Sequence, residues 1–424
     1  MTGGPESMGF SAHKQRIVDL TREYLMPARV DTWLRLGIPL VIGRREGYRI
    51  WDVDGHELLD VHLNGGTYNL GHRHPEVLAA LDEAVHGRDL DVGNHHFPSD
   101  ARAVLAERLA EATPGDLHYS VFTPSGSEAN DLAIRVARRA TGRRKIVALA
   151  AAFHGRTALA AAAGRDDVAR FFLSDYPDEF ATVPFDDLAA IEHALAPGDV
   201  AAVLMETIPA TYGFPVPCDA YLPGVKALCE RFGTLYVADE VQTGLGRTGH
   251  LWGVERFGIA PDVLVAGKGL SGGLYPIAAV VMTRAVGAFL GEEGWSYVST
   301  FGGSEIGCHV ATRVLEITRR PESLANGRRV AALLADRLDD LRRRHPRLRA
   351  VRQQGLVMGL EVEGEIGAVE LSQALYRHGV WAMFSGFDLS VLQFKPGLLV
   401  DEPYCETLIA RLDAALAELE RTVA

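Results

Sequence analysis

The hydrophobic pattern of this chain switches between short apolar runs and longer stretches with helical spacing. Runs of about four to eight apolar residues are typical of buried strands, and apolar residues three and four apart are typical of helices. Strands that alternate with helices predict an α/β fold with a mostly parallel sheet covered by helices. The strand-like runs after residue 116 are "LHYSVFT", "KIVALA", "VAAVLMET", "TLYVADE", "DVLVAGKG" and "PIAAVVMT", and the helical stretches between them include "SEANDLAIRVARRA" and "YLPGVKALCERFG".

The two ends of the chain carry a different pattern. The early stretch "YRIWDVDGHELLDV" alternates apolar and polar residues around an Asp-Gly pair, which predicts a hairpin. Near the end, "RRVAALLADRLDDLRRRHP", "GLVMGLEVEG" and "ETLIARLDAALAELERTV" predict helix, strand and helix. We therefore expect a large domain at residues 66–315 and a smaller α+β unit built from residues 1–65 and 316–424. The basic run "RLDDLRRRHPRLRAVR" is interpreted as a solvated helix face.

Charge and composition narrow the class of protein. The chain of 424 residues has 43 Lys and Arg against 55 Asp and Glu, a net charge of -12, which argues against a nucleic-acid partner and is compatible with a cationic substrate. Its four cysteines form no CxxC pair, its start lacks the apolar core of a signal peptide, and no run is long enough to span a membrane. We expect a soluble cytoplasmic protein without a membrane partner.

Polar residues follow several of the predicted strands, where open α/β sheets bind their ligands. "TPSGSEAND" at residues 123–131 opens a helix, so the N–H groups near Gly126 and Ser127 could bind a phosphate. An ordinary helix cap with a serine side chain is the alternative. "AAFHGRT" offers Phe153 as core packing or as a platform for a flat ring, with His154 beside it.

Two charged residues complete this set. Asp239 ends the apolar strand "TLYVADE", where a buried carboxylate needs a charged or hydrogen-bonding partner. Lys268 of "VLVAGKGLSGGLYP" is either a surface lysine in a flexible turn or a desolvated amine that acts as a nucleophile. Together these residues meet the needs of pyridoxal phosphate, which are a binding site for its phosphate, an aromatic side chain beside its ring, a carboxylate and a lysine. No metal site is expected.

These motifs resemble those of the class III (ω-) aminotransferases, which belong to the fold-type I pyridoxal phosphate enzymes. The resemblance covers nearly the whole chain and includes "NLGHRHPEVLAAL", "SGSEAND", "FHG", "DEVQTGLGRTG", "PDVLVAGKGLSGGLYP" and "STFGG". It implies that Lys268 forms the Schiff base and that Asp239 pairs with the pyridinium nitrogen. The other cofactor-binding positions that it implies are Gly126 and Ser127 for the phosphate, Phe153 and Val241 for the two ring faces, Gln242 for the ring hydroxyl, and Glu206 and His154 around Asp239.

The family resemblance also implies an assembly and a reaction. Thr300 of "STFGG" would reach the phosphate bound by the neighbouring subunit, which makes the protein a homodimer with shared active sites. The implied reaction is a ping-pong transamination in which freed Lys268 is the general acid and base.

The chain departs from the family pattern where many relatives that use glutamate recognise an α-carboxylate. They carry "EPxQGEGG" and "RFxPPL", whereas this chain has "ETIPATYG" and "LQFKPGL", which put Thr211 in place of the second Glu and Gln393 in place of the Arg. Lys395 could supply a point charge or be an ordinary strand-edge lysine. We therefore expect a primary amine without an α-carboxylate, such as a diamine, polyamine or amino sugar, with Tyr68 and Tyr212 lining its pocket.

Two other readings use the same scaffold. A second base opposite Lys268 would make the protein an epimerase or racemase, and Cys308 and His154 are the candidates for that base, although Cys308 also fits a small buried core residue. A pyridoxal-fold binding or regulatory protein without turnover is the third reading, and the intact Lys268 and Asp239 argue against it.

Overall fold

The computed structural model describes residues 9–164 and 166–423. The strands in chain order are β1 (Ile42–Glu46), β2 (Arg49–Asp52), β3 (Glu57–Asp60), β4 (Leu117–Thr123), β5 (Lys145–Leu149), β6 (Phe180–Val183), β7 (Val200–Glu206), β8 (Leu235–Asp239), β9 (Val263–Ala266), β10 (Ala278–Thr283), β11 (Leu348–Gln354), β12 (Val357–Val362), β13 (Val380–Trp381), β14 (Met383–Phe384) and β15 (Val391–Phe394).

The helices enclose these strands, and among the described residues none is long and apolar enough to cross a membrane. In chain order they are α1 (Ala12–Tyr24), α2 (Pro27–Arg35), the single turn α3 (Leu63–Gly66), α4 (Pro75–Asp82), α5 (Asp100–Ala112), α6 (Gly126–Thr141), α7 (Ala158–Ala162), α8 (Asp166–Phe171), α9 (Leu188–Leu195), α10 (Tyr221–Phe232), α11 (Glu305–Arg319), α12 (Pro321–Arg344), α13 (Gly367–Arg377) and α14 (Glu402–Val423).

The large sheet has seven strands in the order β4-β10-β9-β8-β7-β5-β6. All neighbouring pairs are parallel except those of β10, which runs antiparallel to both β4 and β9. The predicted α/β fold with a mostly parallel sheet is therefore confirmed. Six of the seven strands match runs that the hydrophobic pattern predicted, and β6 is the strand that it missed.

Both faces of this sheet are buried. Strand β7 has no exposed residue, and its side chains divide between two apolar clusters, with Val203 and Met205 on one face and Ala202 and Leu204 on the other. A strand buried on both sides reads as a continuous apolar run, which is why "VAAVLMET" shows no alternation.

The two chain ends meet in a second region. The hairpin of β2 and β3 forms as predicted, and β13 adds to it as a parallel strand with Val380 opposite Leu59. The strands β11, β12, β15 and β14 form another sheet, which packs with α12, α13 and α14 around one large core cluster. The domain boundaries at residues 65/66 and 315/316 stay predictions.

One expectation about the chain end was wrong. The basic run was interpreted as one helix face, but α12 ends at Arg344 and β11 begins at Leu348. The charge pattern was misleading because the run of arginines continues past Pro346, where the helix has already ended. Within α12 they are solvated, and Arg342 and Arg343 pair with Asp339.

Glu240, the residue after Asp239, is a buried structural anchor. Its carboxylate accepts hydrogen bonds from the hydroxyls of Thr207 (2.6 Å) and Thr243 (2.7 Å) and from the N–H groups of Gly253 and Val254 (both 2.9 Å). Burial raises the pKa of this carboxyl group. The four bonds tie the end of β8 to the residue after β7 and to the loop that follows β8, so Glu240 stabilises the fold.

We expect Glu240→Ala to lower the free energy of unfolding by about 3 kcal/mol, because it leaves several buried donors without an acceptor. Denaturant unfolding of the purified variant would measure this loss. Glu240→Gln keeps one carbonyl acceptor and should lose less. Equal stability of wild type and Glu240→Ala would contradict the role given to this carboxylate.

Candidate active site

The ends of the parallel strands and the start of one helix surround a common cavity. Strands β7 and β8 are in register, with Glu206 opposite Asp239, and Lys268 follows the end of β9 by two residues. The cavity has a volume of about 260 Å³. Its walls bring together most of the predicted cofactor residues, and the full set is Gly126, Ser127, Asn130, Phe153, His154, Gly155, Arg156, Glu206, Asp239, Val241, Gln242 and Lys268.

Asp239 is held in place by three donors. Its Oδ2 atom lies 2.8 Å from Nδ1 of His154 and 2.9 Å from Nδ2 of Asn130, and its Oδ1 atom accepts a hydrogen bond from the N–H of Val241 at 3.0 Å. Asp239 and His154 are both buried. These donors fix the orientation of the buried carboxylate, which can still bind a positive charge.

Asn130 is a site residue that the sequence reasoning missed. Its amide also donates to the carbonyl oxygen of His154 at 2.9 Å, so it fixes the position of both partners. The sequence contained a signal for Asn130. It lies three residues after Ser127 and four after Gly126, and this spacing places it on the same face of α6 as those two residues.

Glu206 connects the ring platform to the loop after β7. Its two carboxylate oxygens accept hydrogen bonds from the N–H groups of Phe153 and Ala210, both at 3.0 Å. The pKa of Glu206 is raised to about 7, mainly by burial; His154 opposes the shift and the charge of Asp239 contributes to it. Glu206 is thus a buried carboxyl group that titrates near neutral pH.

Lys268 is partly buried and sits in a constrained backbone position. Its φ angle is 42°, in the left-handed region that costs a non-glycine residue free energy and is frequent at functional sites. A Cβ atom on Gly65, whose φ is +73°, would lie 2.7 Å from Cε of Lys268, so a side chain there would be strained and would displace the lysine. Burial lowers the pKa of Lys268, and Asp239 and Glu206 oppose that shift. A lysine with a lowered pKa is a better nucleophile.

The start of α6 supplies the anion-binding side of the cavity. Ser125 caps the helix by accepting a hydrogen bond from the N–H of Glu128 at 3.2 Å, which leaves Ser127 free for another role. The hydroxyl of Ser127 bonds to Thr157 (2.8 Å) and accepts from the N–H of Arg156 (2.9 Å). Within this motif, Ser125 therefore caps the helix, and the proposed phosphate-binding site uses Ser127.

A neighbouring cavity of about 330 Å³ contains Tyr68, one of the two predicted substrate residues. Trp33 and Trp381 line it as well, with ring centroids 5.5 Å apart. Asn64 also lines this cavity, and the next residue, Gly65, contacts Lys268. The wall of this cavity therefore lies one residue along the chain from the glycine beside Lys268.

The structure does not bring Tyr212 and Thr300 into these cavities. Tyr212 is partly exposed and lines a separate surface cavity of about 880 Å³ together with Arg352 and Asp388. Thr300 lies exposed on a loop of the single chain. The expectation that Tyr212 contacts the substrate finds no support in this position, and the role of Thr300 toward a second subunit stays a prediction.

Gln393 and Lys395 are both buried at the end of β15. Lys395 is only 1% exposed and donates from Nζ to Oε1 of Gln393 at 2.6 Å. Of the two alternatives for Lys395, this burial excludes the ordinary strand-edge lysine, because β15 pairs with both β12 and β14. Cys308 is fully buried in an apolar cluster, where burial raises the pKa of its thiol to about 12, and it does not line the cavity that contains Asp239 and Lys268.

Three features surround one cavity on this sheet, namely a lysine after a strand, a buried carboxylate at a strand end and a helix N-terminus. Together they define a fold-type I pyridoxal phosphate enzyme. A family model described as aminotransferase class-III matches residues 35–416, and the chain belongs to that family. The resemblance seen in the sequence is thereby confirmed, and the protein is a pyridoxal-phosphate-dependent aminotransferase.

Similar proteins agree with this assignment. The chain is 43% identical over 411 residues to an uncharacterized aminotransferase from Archaeoglobus fulgidus, covering 96% of each protein. It is 33% identical to the acetylornithine aminotransferase of Neisseria meningitidis, covering 90% of this chain and 95% of the relative. The crystal structure of ornithine aminotransferase from Toxoplasma gondii superposes with a TM-score of 0.88 at 26% identity, covering 98% of this chain and 97% of that one.

The residues around the cavity fit pyridoxal phosphate. Oε1 of Gln242, Nε2 of His154 and Oδ1 of Asn130 are buried, and within the described part of the chain they have no hydrogen-bond partner. A Cβ atom on Gly155, whose φ is +135°, would lie 2.0 Å from Oγ of Ser127. Unpartnered polar atoms are what a polar ring requires, and the glycine lets the loop after β5 approach the start of α6 closely.

The raised pKa of Glu206 predicts a pH-dependent stability for the cofactor-free protein. Its folded-state pKa of about 7 lies above the ordinary 4.5, so between these values the folded protein holds a proton that the unfolded chain has released. The stabilisation is complete below pH 4.5 and is lost as the pH rises toward 7. Urea midpoints across this interval should fall less steeply in Glu206→Gln than in wild type. Identical slopes would contradict the titration assigned to Glu206.

Proposed function

We propose that this aminotransferase moves an amino group between a primary amine with no carboxylate on the reacting carbon and a keto acid or other carbonyl compound. Diamines, polyamines and amino sugars are the classes that the sequence suggested. The observation that carries the proposal is Gln393, a buried amide at the position where relatives that use glutamate have an arginine. Gln393 lacks the two parallel charged donors that grip a carboxylate.

The surroundings of Gln393 support this substrate class. Its Oε1 atom is already bonded to Lys395, and the partner position in the preceding loop is Thr211 instead of a glutamate. Without both members of the pair, an α-carboxylate beside the reacting carbon would have no bidentate partner here. Buried polar sites discriminate strongly when such a partner is missing.

The roles of the chain's own residues follow from the cavity. When bound, pyridoxal phosphate supplies an aldehyde that takes up the amine and a ring that withdraws electrons from it. Asp239, oriented by Asn130 and His154, would hold the proton on the ring nitrogen. Phe153 and Val241 would enclose the ring between them.

Lys268 would move the proton of the reaction. Burial lowers its pKa, so Nζ could accept the proton of the carbon that carries the amine and return it to the carbon on the other side of the amine nitrogen. Gln242 would accept the hydrogen bond of the ring hydroxyl through its unpartnered Oε1 atom. Gly126 and Ser127 at the start of α6 would bind the phosphate.

The names of the relatives do not distinguish between a terminal amine and an α-amino acid as the substrate. Ornithine has one amine beside its carboxylate and a second amine at the far end of its chain. Only the second satisfies the proposed requirement, so the names are compatible with a terminal amine as well as with an α-amino acid. The choice between the two is a matter for experiment.

We also propose a homodimer in the cytoplasm. Trp295 (67% exposed), Val298 (50%) and Phe301 (60%) form an exposed apolar group beside Thr300, which is the kind of surface that a second subunit would cover. The four cysteines are unpaired, as expected in a reducing compartment.

A panel of amines tests the substrate proposal. We expect pentylamine, cadaverine or δ-aminovalerate to convert the bound cofactor to its amine form at least about tenfold faster than alanine or glutamate, because the α-carboxylate of the latter pair lacks a bidentate partner. Stopped-flow absorbance of the holoenzyme, without any carbonyl acceptor, measures each half-reaction.

Two results would count against the proposal. Exclusive reaction with α-amino acids would refute the interpretation of Gln393. Covalent trapping of the cofactor by borohydride provides the control for the lysine: wild type should be labelled at Lys268 and Lys268→Ala should not. Equal trapping in both proteins would overturn the role of Lys268.

A further inference from the structure

The cavity of about 880 Å³ that contains Tyr212 lies outside the active site. Residues that end or follow three neighbouring parallel strands form one side of it: Leu149 ends β5, Pro184 follows β6, and Pro209 follows β7. Residues 351–353 of β11 form the other side. The cavity therefore lies between the large sheet and the sheet built from the chain end.

The order of the strands favours a ligand site at this place. Strands β5 and β7 are neighbours, but the chain leaves β5 toward β6 on one side and leaves β7 toward β8 on the other. Such a reversal of direction opens a crevice beyond the carboxyl ends of the two strands, and open α/β sheets commonly bind ligands there. Both the active site and the 880 Å³ cavity open from this edge of the sheet.

A short segment of chain separates the two cavities. Ala151 lines the 880 Å³ cavity, and Phe153, two residues later, lines the active site. Glu206 fixes this wall, because its carboxylate accepts hydrogen bonds from the N–H groups of Phe153 and Ala210, both at 3.0 Å. In the described part of the chain the two cavities have no lining residue in common, so the larger one is a separate site.

The walls of the 880 Å³ cavity are largely apolar and include two aromatic rings. Phe185 is held in a T-shaped contact with Tyr221, with ring centroids 5.8 Å apart. Tyr212 is 36% exposed, so a ligand can reach its ring. Pro215 and Val216 extend the apolar surface. Small-molecule sites have volumes of roughly 300 to 1,000 Å³ and mostly apolar walls, and this cavity meets both conditions.

The charged groups at the cavity leave an excess of negative charge. The guanidinium of Arg352 donates to Oε2 of Glu361 at 2.8 Å and to the carbonyl oxygen of Gly213 at 3.2 Å, and it lies 3.9 Å from Oδ2 of Asp388. Oδ1 of Asp388 accepts hydrogen bonds from the N–H and the hydroxyl of Ser390. Two carboxylates therefore share one guanidinium, and Oδ2 of Asp388 keeps the capacity to accept from a further cation.

We infer that this cavity binds an organic cation, namely an ammonium group carried on an apolar body. Asp388 would supply the counter-charge, and the rings of Tyr212 and Phe185 would contact the apolar groups around the positive nitrogen. An anion of the same shape would meet two carboxylates that share one guanidinium, so its binding is disfavoured. The ligand is bound here without being converted.

Three probes of similar size test the inference on the holoenzyme: benzyltrimethylammonium, neutral 3-phenylpropanol and anionic 3-phenylpropionate. The quaternary ammonium has no N–H group and cannot form a Schiff base, so its binding is measured without turnover. Calorimetry should show that it binds about tenfold more tightly than the neutral probe and that the anion binds most weakly, because one cation–π contact and one carboxylate together are worth about that factor.

Two variants locate the bound cation. Asp388→Asn keeps an acceptor for Ser390 and should weaken binding about fivefold, because it removes the negative charge. Val216→Trp fills the cavity and should abolish binding. The matched control is Asp199→Asn, which removes a carboxylate from an exposed pair with Lys145 at the opposite edge of the sheet and should bind like wild type. Thermal unfolding checks that each variant is folded.

Three results would overturn the inference. The first is no heat of binding with the cation up to about 10 mM. The second is equal binding of the three probes, which would show that the cavity does not recognise charge. The third is binding that Trp33→Ala weakens and Asp388→Asn leaves unchanged, which would place the cation in the cavity that contains Trp33 and Tyr68.

Discussion

The buried carboxylate of Asp239 is the constraint around which the active site is arranged. A negative charge at the end of a strand is stable there only with fixed donors on one side and a positive partner on the other. Asn130 from α6 and His154 from the loop after β5 provide the donors. Three separate segments of the chain must therefore be correctly folded before Asp239 can hold the proton of the ring nitrogen.

Much of this arrangement could be predicted from the sequence, because it depends on strand ends. The apolar runs located six of the seven strands of the large sheet, and parallel strands bring their carboxyl ends to one edge, so Lys268, Asp239 and Phe153 were expected to meet. Strand β6 was missed because it has only four residues, too few to stand out as an apolar run. The break between α12 and β11 was missed because charge continued across it.

Other features depend on distant contacts that no local pattern reveals. Arg247 lies among glycines in "GLGRTG", which suggests a loop, yet its side chain is buried against Asn69 and Leu356 from remote parts of the sequence. The burial of Lys395 likewise depends on strand pairing at the chain end. Local spacing identifies residues that face a shared sheet edge, whereas the surroundings of these two buried cations depend on tertiary packing.

The turn α3 has a consequence for any redesign of this enzyme. Leu63, Asn64, Gly65 and Gly66 all have positive φ angles between 48° and 96°, and the turn lies directly against Lys268. A side chain introduced at position 65 would displace the lysine itself. Libraries that aim to change the accepted amine are therefore better directed at Met383 and Trp381 on the wall of the aromatic cavity, where variation leaves the position of the nucleophile intact.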